Sequence, residues 1–164
     1  MKRLAYILSI LGLLFTFSHN VNATRQVRDI IMIDKVEHRL NKVLLYQLDS
    51  VTYDALGKKL DFSKSSFSGC WRGHISTFEV KGNKLYLNCI ATSKVHTDFK
   101  GMLDQYKDGK GRVFASWVSD TLLCGTGECI YVTDSGFGSV YEQETELVVE
   151  AGIIVSSRTD TNRI

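Results

Sequence analysis

The chain has 164 residues, 44% of them hydrophobic and 23% charged, with four Cys and no Pro; that composition excludes fibrous and disordered classes. Its 20 Lys and Arg face 18 Asp and Glu. Lys2 and Arg3 lie in a segment expected to be removed, and without them the charges balance, which excludes the strong basic field of a non-specific nucleic-acid binder.

Met1 to Ala23 reads as a secretory signal peptide: a basic start, an apolar run from Leu4 to Phe17, and Val21-Asn22-Ala23 with a small residue at the cleavage edge. The run is shorter than the roughly 20 residues needed to span a bilayer. The sequence therefore predicts a single β-rich domain over residues 24–164, periplasmic or secreted, with no membrane insertion after cleavage. Export to an oxidising compartment favours disulfides over metal for an even number of cysteines. Cys124-Gly-Thr-Gly-Glu-Cys129 suits a hairpin whose ends are pinned by a Cys124–Cys129 bridge, and Cys70 with Cys89 follows by elimination. A zinc site lacks its second ligand pair, so no metal and no cofactor are expected.

In chain order, Asp29–Ile33 and Val43–Leu48 read as short strands, with Arg39–Lys42 as a turn between them. A helix follows, capped by Asp49 or Ser50, with Tyr53, Leu56 and Leu60 at helical spacing. Residues 72–90 form the clearest hairpin, turning at Gly82-Asn83 and pairing Val80 with Leu85, Phe78 with Leu87 and Ser76 with Cys89 on the core side. The opposite side pairs Glu79 with Tyr86 and Thr77 with Asn88. A second helix is predicted from Asp98, with Phe99, Met102, Leu103 and Tyr106 on one face. Arg112–Val118 then reads as a strand, and Thr145–Val149 with Ile153–Ser157 as a last hairpin of central strands. The expected fold is mainly β: an antiparallel sheet or partly closed barrel of seven to nine strands with two short helices.

Charge is uneven along the chain. Residues 24–112 carry 16 bases and 10 acids, whereas residues 113–157 carry seven acids and no base. An acidic face would steer a basic protein partner. Trp71 and Arg72 are of the residue types that dominate interface energy, although Trp71 equally suits the core, and Phe137 and Tyr141 lie on a Gly-rich loop; these four are the candidate binding residues. His74 shares strand parity with Ser76 and Phe78 and is read as a core-edge histidine, and a bulge at Gly73 would reconcile it with Trp71 and Ile75 on the other parity. No Walker loop, Rossmann fingerprint, G-x-S-x-G or H-E-x-x-H occurs.

Ser68-Gly69-Cys70-Trp71-Arg72 resembles the S-H-G-C-x-R stretch of L,D-transpeptidases, without its His. That resemblance implies a Cys70 nucleophile in a cell-wall hydrolase or transpeptidase. Cys70-Trp-Arg-Gly73, Thr77-Phe-Glu-Val-Lys81, Lys84-Leu-Tyr-Leu87 and Gly138-Ser-Val-Tyr-Glu142 resemble a set of small bacterial proteins of unassigned function, which implies a shared β-rich fold and nothing more. The leading expectation is a non-enzymatic, disulfide-stabilised protein-binding domain, such as an immunity protein or inhibitor in the bacterial envelope. The alternatives are a small-molecule-binding β-barrel, with Tyr86, Trp117 and Tyr131 around a pocket, and the Cys70 enzyme.

Overall fold

A computed structural model describes residues 26–63, 69–133 and 137–162. The expected signal peptide and Asp134–Gly136 lie outside the described residues. The strands are β1 (Ile30–Ile33), β2 (Val36–Leu40), β3 (Ile75–Lys81), β4 (Lys84–Ala91), β5 (Val95–His96), β6 (Val113–Phe114), β7 (Asp120–Tyr131), β8 (Val140–Glu150) and β9 (Ile153–Thr161). One α-helix, α1 (Ser50–Leu60), and two 3-10 turns, Leu44–Gln47 and Asp104–Tyr106, accompany them.

The hydrogen-bonded order is β3-β1-β2-β7-β8-β9-β4-β5, with β6 on β4 and β3 also paired to β4. The sheet thus returns on itself, but the β4–β9 seam holds only Lys84 opposite Ile153, so it is not a clean barrel. It is also mixed, because β1 runs parallel to β3. The purely antiparallel sheet expected from sequence is corrected here. β2, the Leu44–Gln47 turn and α1 all lie between β1 and β3, and a pairing across so long a connection is one that a hairpin count cannot foresee.

α1 forms as predicted: the Asp49 carboxylate accepts from the Thr52 amide, and Leu56 and Leu60 are buried. The second predicted helix does not form. Gly101 takes φ +76° and interrupts the right-handed path, leaving a turn and a short 3-10 segment at Asp104–Tyr106. Phe99 and Leu103 are nevertheless buried, so the apolar spacing identified the right side chains on the wrong backbone. Where a strand is expected at Val43–Leu48 the chain forms the 3-10 turn Leu44–Gln47, and of the expected turn Arg39–Lys42 the first two residues end β2 while Asn41 and Lys42 form a bend.

The β3–β4 hairpin keeps the predicted register from Lys81–Lys84 to Phe78–Leu87, including Glu79 opposite Tyr86. Beyond Phe78 the register shifts by one: Thr77 faces Cys89 and Ser76 faces Ile90. Asn88 is the extra residue, and its side-chain Nδ2 donates to Glu79 Oε2 at 2.8 Å. The core gathers Ile31, Leu40, Leu44, Phe78, Leu85, Ile90, Leu103, Leu122 and Leu147, with α1 laid across it through Leu56. Each large side chain among these contributes about 1.5–3 kcal/mol by leaving water.

Candidate functional site: the Trp71 turn

Ahead of β3 the chain makes a tight turn in which the Gly73 amide donates to the Cys70 carbonyl at 2.9 Å. Gly73 has φ +79°, and a Cβ there would stand 1.6 Å from the Phe62 carbonyl oxygen. Only glycine fits on both counts. The parity switch expected at Gly73 is thus accomplished by a positive-φ turn before the strand, not by a bulge within it.

The residues of this turn alternate sharply between inside and outside. Cys70 and Arg72 are buried while Trp71, between them, is 79% exposed. Arg72 is therefore corrected from a surface recognition residue to a structural one. Its Nη2 donates to Asp29 Oδ1 at 2.7 Å, and the same oxygen accepts from the Ser76 amide at 2.9 Å. Asp29 sits immediately before β1, so the ion pair ties the turn to the start of the sheet. Burial pushes the Asp29 carboxyl up, against the pull of the Arg72 guanidinium and the Ser76 amide.

His74 and Ser76 are fully buried beside this pair, as strand parity predicted. His74 Nε2 lies 3.3 Å from the Tyr53 hydroxyl, and its ring packs on Phe62 with centroids 4.4 Å apart. Burial, helped by the Arg72 charge, lowers its pKa to about 3, so the ring is neutral. The Cys70 thiol donates to the His74 backbone carbonyl at 3.3 Å, not to the ring, and burial pushes its pKa up. A buried, neutral thiol aimed at a carbonyl lacks the activation a nucleophile needs.

Trp71 is itself anchored: its amide donates to Gln26 Oε1 at 3.2 Å, and the Val27 amide donates to the Gly69 carbonyl at 2.8 Å. Gln26 also lines a shallow cleft with Arg28, Arg39, Ser139 and Tyr141. There the Arg28 guanidinium lies 5.2 Å above the Tyr141 ring and donates to the Ser139 carbonyl at 3.2 Å. The Tyr141 ring covers Gly125, where a Cβ would come within 2.2 Å of it. Trp71 and Tyr141 thus flank one N-terminal segment. Phe137 is half-buried and stands apart from Trp71 in the interactions described.

The cysteines depart from expectation. Cys124 and Cys129 both lie on β7 (Asp120–Tyr131), which is irregular between them, with Gly127 at φ +80°, but does not turn back, so the hairpin expected between them is absent. No disulfide joins any of the four cysteines, and the elimination that paired Cys70 with Cys89 loses its basis. Burial pushes Cys124 up to about 12.

Tyr86, Trp117 and Tyr131 occupy three separate environments. Tyr86 is buried under Arg112, whose guanidinium lies 4.2 Å from its ring. Trp117 packs on Tyr106 and donates to the Leu44 carbonyl at 3.2 Å, while Tyr131 is 63% exposed at the end of β7. Sequence reasoning missed Asp29 and Tyr53, whose roles depend on partners 43 and 21 residues away. No group of three or more His, Cys, Asp or Glu among the described residues is placed to hold a metal, and no helix there is long and apolar enough to cross a membrane. No family profile, no curated protein and no solved structure matches the chain.

Proposed function

We propose that this protein is an exported, non-enzymatic protein-binding domain of the immunity-protein or inhibitor kind, acting in the bacterial envelope with Trp71 as its anchor. The observation that carries this reading is the exposure of Trp71 at 79% on a turn whose neighbours are locked inside. Exposing an indole to water forgoes a large burial gain, so the position makes sense where a partner completes that burial. The buried Asp29–Arg72 pair, Gly73 and the Gln26 contact remove most of the freedom the turn would otherwise lose on binding, and such preorganisation lowers the cost of association.

The preference for a basic partner is supported by β8, where Glu142, Glu146 and Glu150 are exposed and alternate with the buried Thr145, Leu147 and Val149. Acids that share the outward parity of one strand favour an acidic face there. Disulfides play no part in the proposal.

The test is affinity capture from an envelope extract with wild type and Trp71→Ala, followed by titration of the purified partner. We expect a protein retained by wild type and bound about 30-fold more weakly by the variant, the scale of a central aromatic anchor. Equal affinity for both, or no protein retained by either, overturns the reading.

A further inference from the structure

β9 pairs with β8 along its full length, yet its other edge meets β4 only at Ile153. From Val155 to Thr161 every residue is exposed, and among the described residues no strand covers that edge. The direction of each backbone group follows from two hydrogen bonds. The Asn162 amide donates to the Glu142 carbonyl on β8 at 2.8 Å, so residues 160, 158 and 156, at the same parity, also face β8. Ser157, Thr159 and Thr161 therefore turn their amides and carbonyls outward. The register shift between Val148 and Val149 reverses parity upstream, which is why the Ile154 amide faces away from β8, reaching Asn83 at 2.8 Å. The 3.0 Å approach of the Thr145 and Thr159 hydroxyls agrees, because side chains come closest at positions that exchange no backbone bonds.

We propose that this edge pairs antiparallel with β9 of a second copy of the chain, about a two-fold axis at Thr159. A two-fold antiparallel pair places residue i opposite the partner's residue j with a constant sum. Centred on Thr159, the outward-facing Thr159 meets its own copy, and Ser157 and Thr161 meet each other. Every pair that must exchange backbone bonds thus consists of residues with free outward groups. The same register sets Arg158 opposite the partner's Asp160, twice by symmetry, at positions where side chains lie closest. Registers centred on Arg158 or Asp160 would oppose like charges, and one centred on Ser157 would leave Arg158 against serine. Charge complementarity therefore selects both the occupant and the register. Within one copy the two side chains pair with each other, 3.0 Å apart and largely in water, so exchanging that contact for the symmetric one loses little.

The edge is short, so the dimer is weak and concentration-dependent. It does not rest on the Trp71 turn. The test is sedimentation equilibrium of the wild-type chain, of Arg158→Asp, of the Arg158→Asp/Asp160→Arg double variant, and of Thr159→Pro. The first variant opposes two acids at each symmetric position and should weaken the dimer about tenfold. The double variant restores the opposition of charges and should return the dimer to near wild-type strength. Thr159→Pro removes a donor that faces outward and should abolish pairing, while far-ultraviolet circular dichroism reports an intact sheet. A wild-type chain that stays monomeric at every accessible concentration overturns the proposal and leaves the edge to a strand of another protein. So does a dimer that Arg158→Asp and Thr159→Pro leave unchanged, since its contact lies on another face.

Discussion

Two arginine–aspartate pairs in this molecule have nearly the same geometry and opposite consequences. Arg72 meets Asp29 at 2.7 Å with side-chain exposures of 3% and 0%, whereas Arg158 meets Asp160 at 3.0 Å with exposures of 74% and 57%. The first pair has given up hydration and depends on its mutual attraction and the Ser76 amide to offset that loss. Its satisfaction is incomplete: Asp29 Oδ2 and Arg72 Nε and Nη1 have no partner among the described residues. A pair of that kind is a poor way to gain stability and an effective way to hold one shape, here the turn that presents Trp71. The second pair remains hydrated and holds nothing in place, so it is free to exchange its partner.

Removing one member of each pair should separate these roles. Arg72→Met removes the charge that offsets the burial of Asp29, with an expected loss of about 3–5 kcal/mol in urea unfolding. Asp29→Asn alone should cost a similar amount, while the double variant should lose clearly less than the sum. Simple additivity would mean that the two groups are not coupled in the folded protein.

The pH dependence tests the same buried cluster through His74. Its folded pKa of about 3 lies below the ordinary value of 6.5, so the unfolded chain binds the proton first. Stability contributed by neutral His74 is complete above pH 6.5 and is lost as pH falls toward 3, by about 1.4 kcal/mol per pH unit at most. Asp29, raised by burial, acts with the opposite sign, its contribution being lost as pH rises from the ordinary carboxylate value through its folded pKa. The comparison is therefore the slope of wild type minus that of His74→Phe over pH 6 to 4. Parallel curves would show that His74 is protonated in the folded state as readily as in the unfolded one.

What was legible in the sequence follows the same division between local and distant causes. The β3–β4 register from Lys81–Lys84 to Phe78–Leu87 and α1 with its Asp49 cap rest on neighbours in sequence, and both were readable, whereas the Asn88 bulge beyond them was not. The β1–β2 hairpin was not, because its turn places Asp34 and Lys35 at φ 50° and 68° without the glycine that announces such a turn. The parallel β1–β3 pairing and the Asp29–Arg72 contact join residues more than forty positions apart, and no periodicity carries that information. At the candidate site, residue type nominated both Trp71 and Arg72 for a binding surface, and the structure exposes the first and buries the second. Alternation along the turn put one outside and the other inside, and only Asp29 decides which.

The smallest expected effect is at the exposed pair, and it sharpens the comparison most. In dilute solution Arg158→Asp should move the unfolding free energy by no more than about 0.5 kcal/mol, since an ion pair in water roughly breaks even against its hydration and side-chain entropy. The same substitution should weaken the symmetric β9 pairing about tenfold, because there it changes two cross-strand contacts at once. Urea unfolding at low protein concentration and sedimentation at high concentration thus read one residue in two settings. A large loss of monomer stability would show that Arg158 supports the β8–β9 ribbon through Glu146, its cross-strand neighbour, and the contrast with Arg72 would then reduce to one of degree.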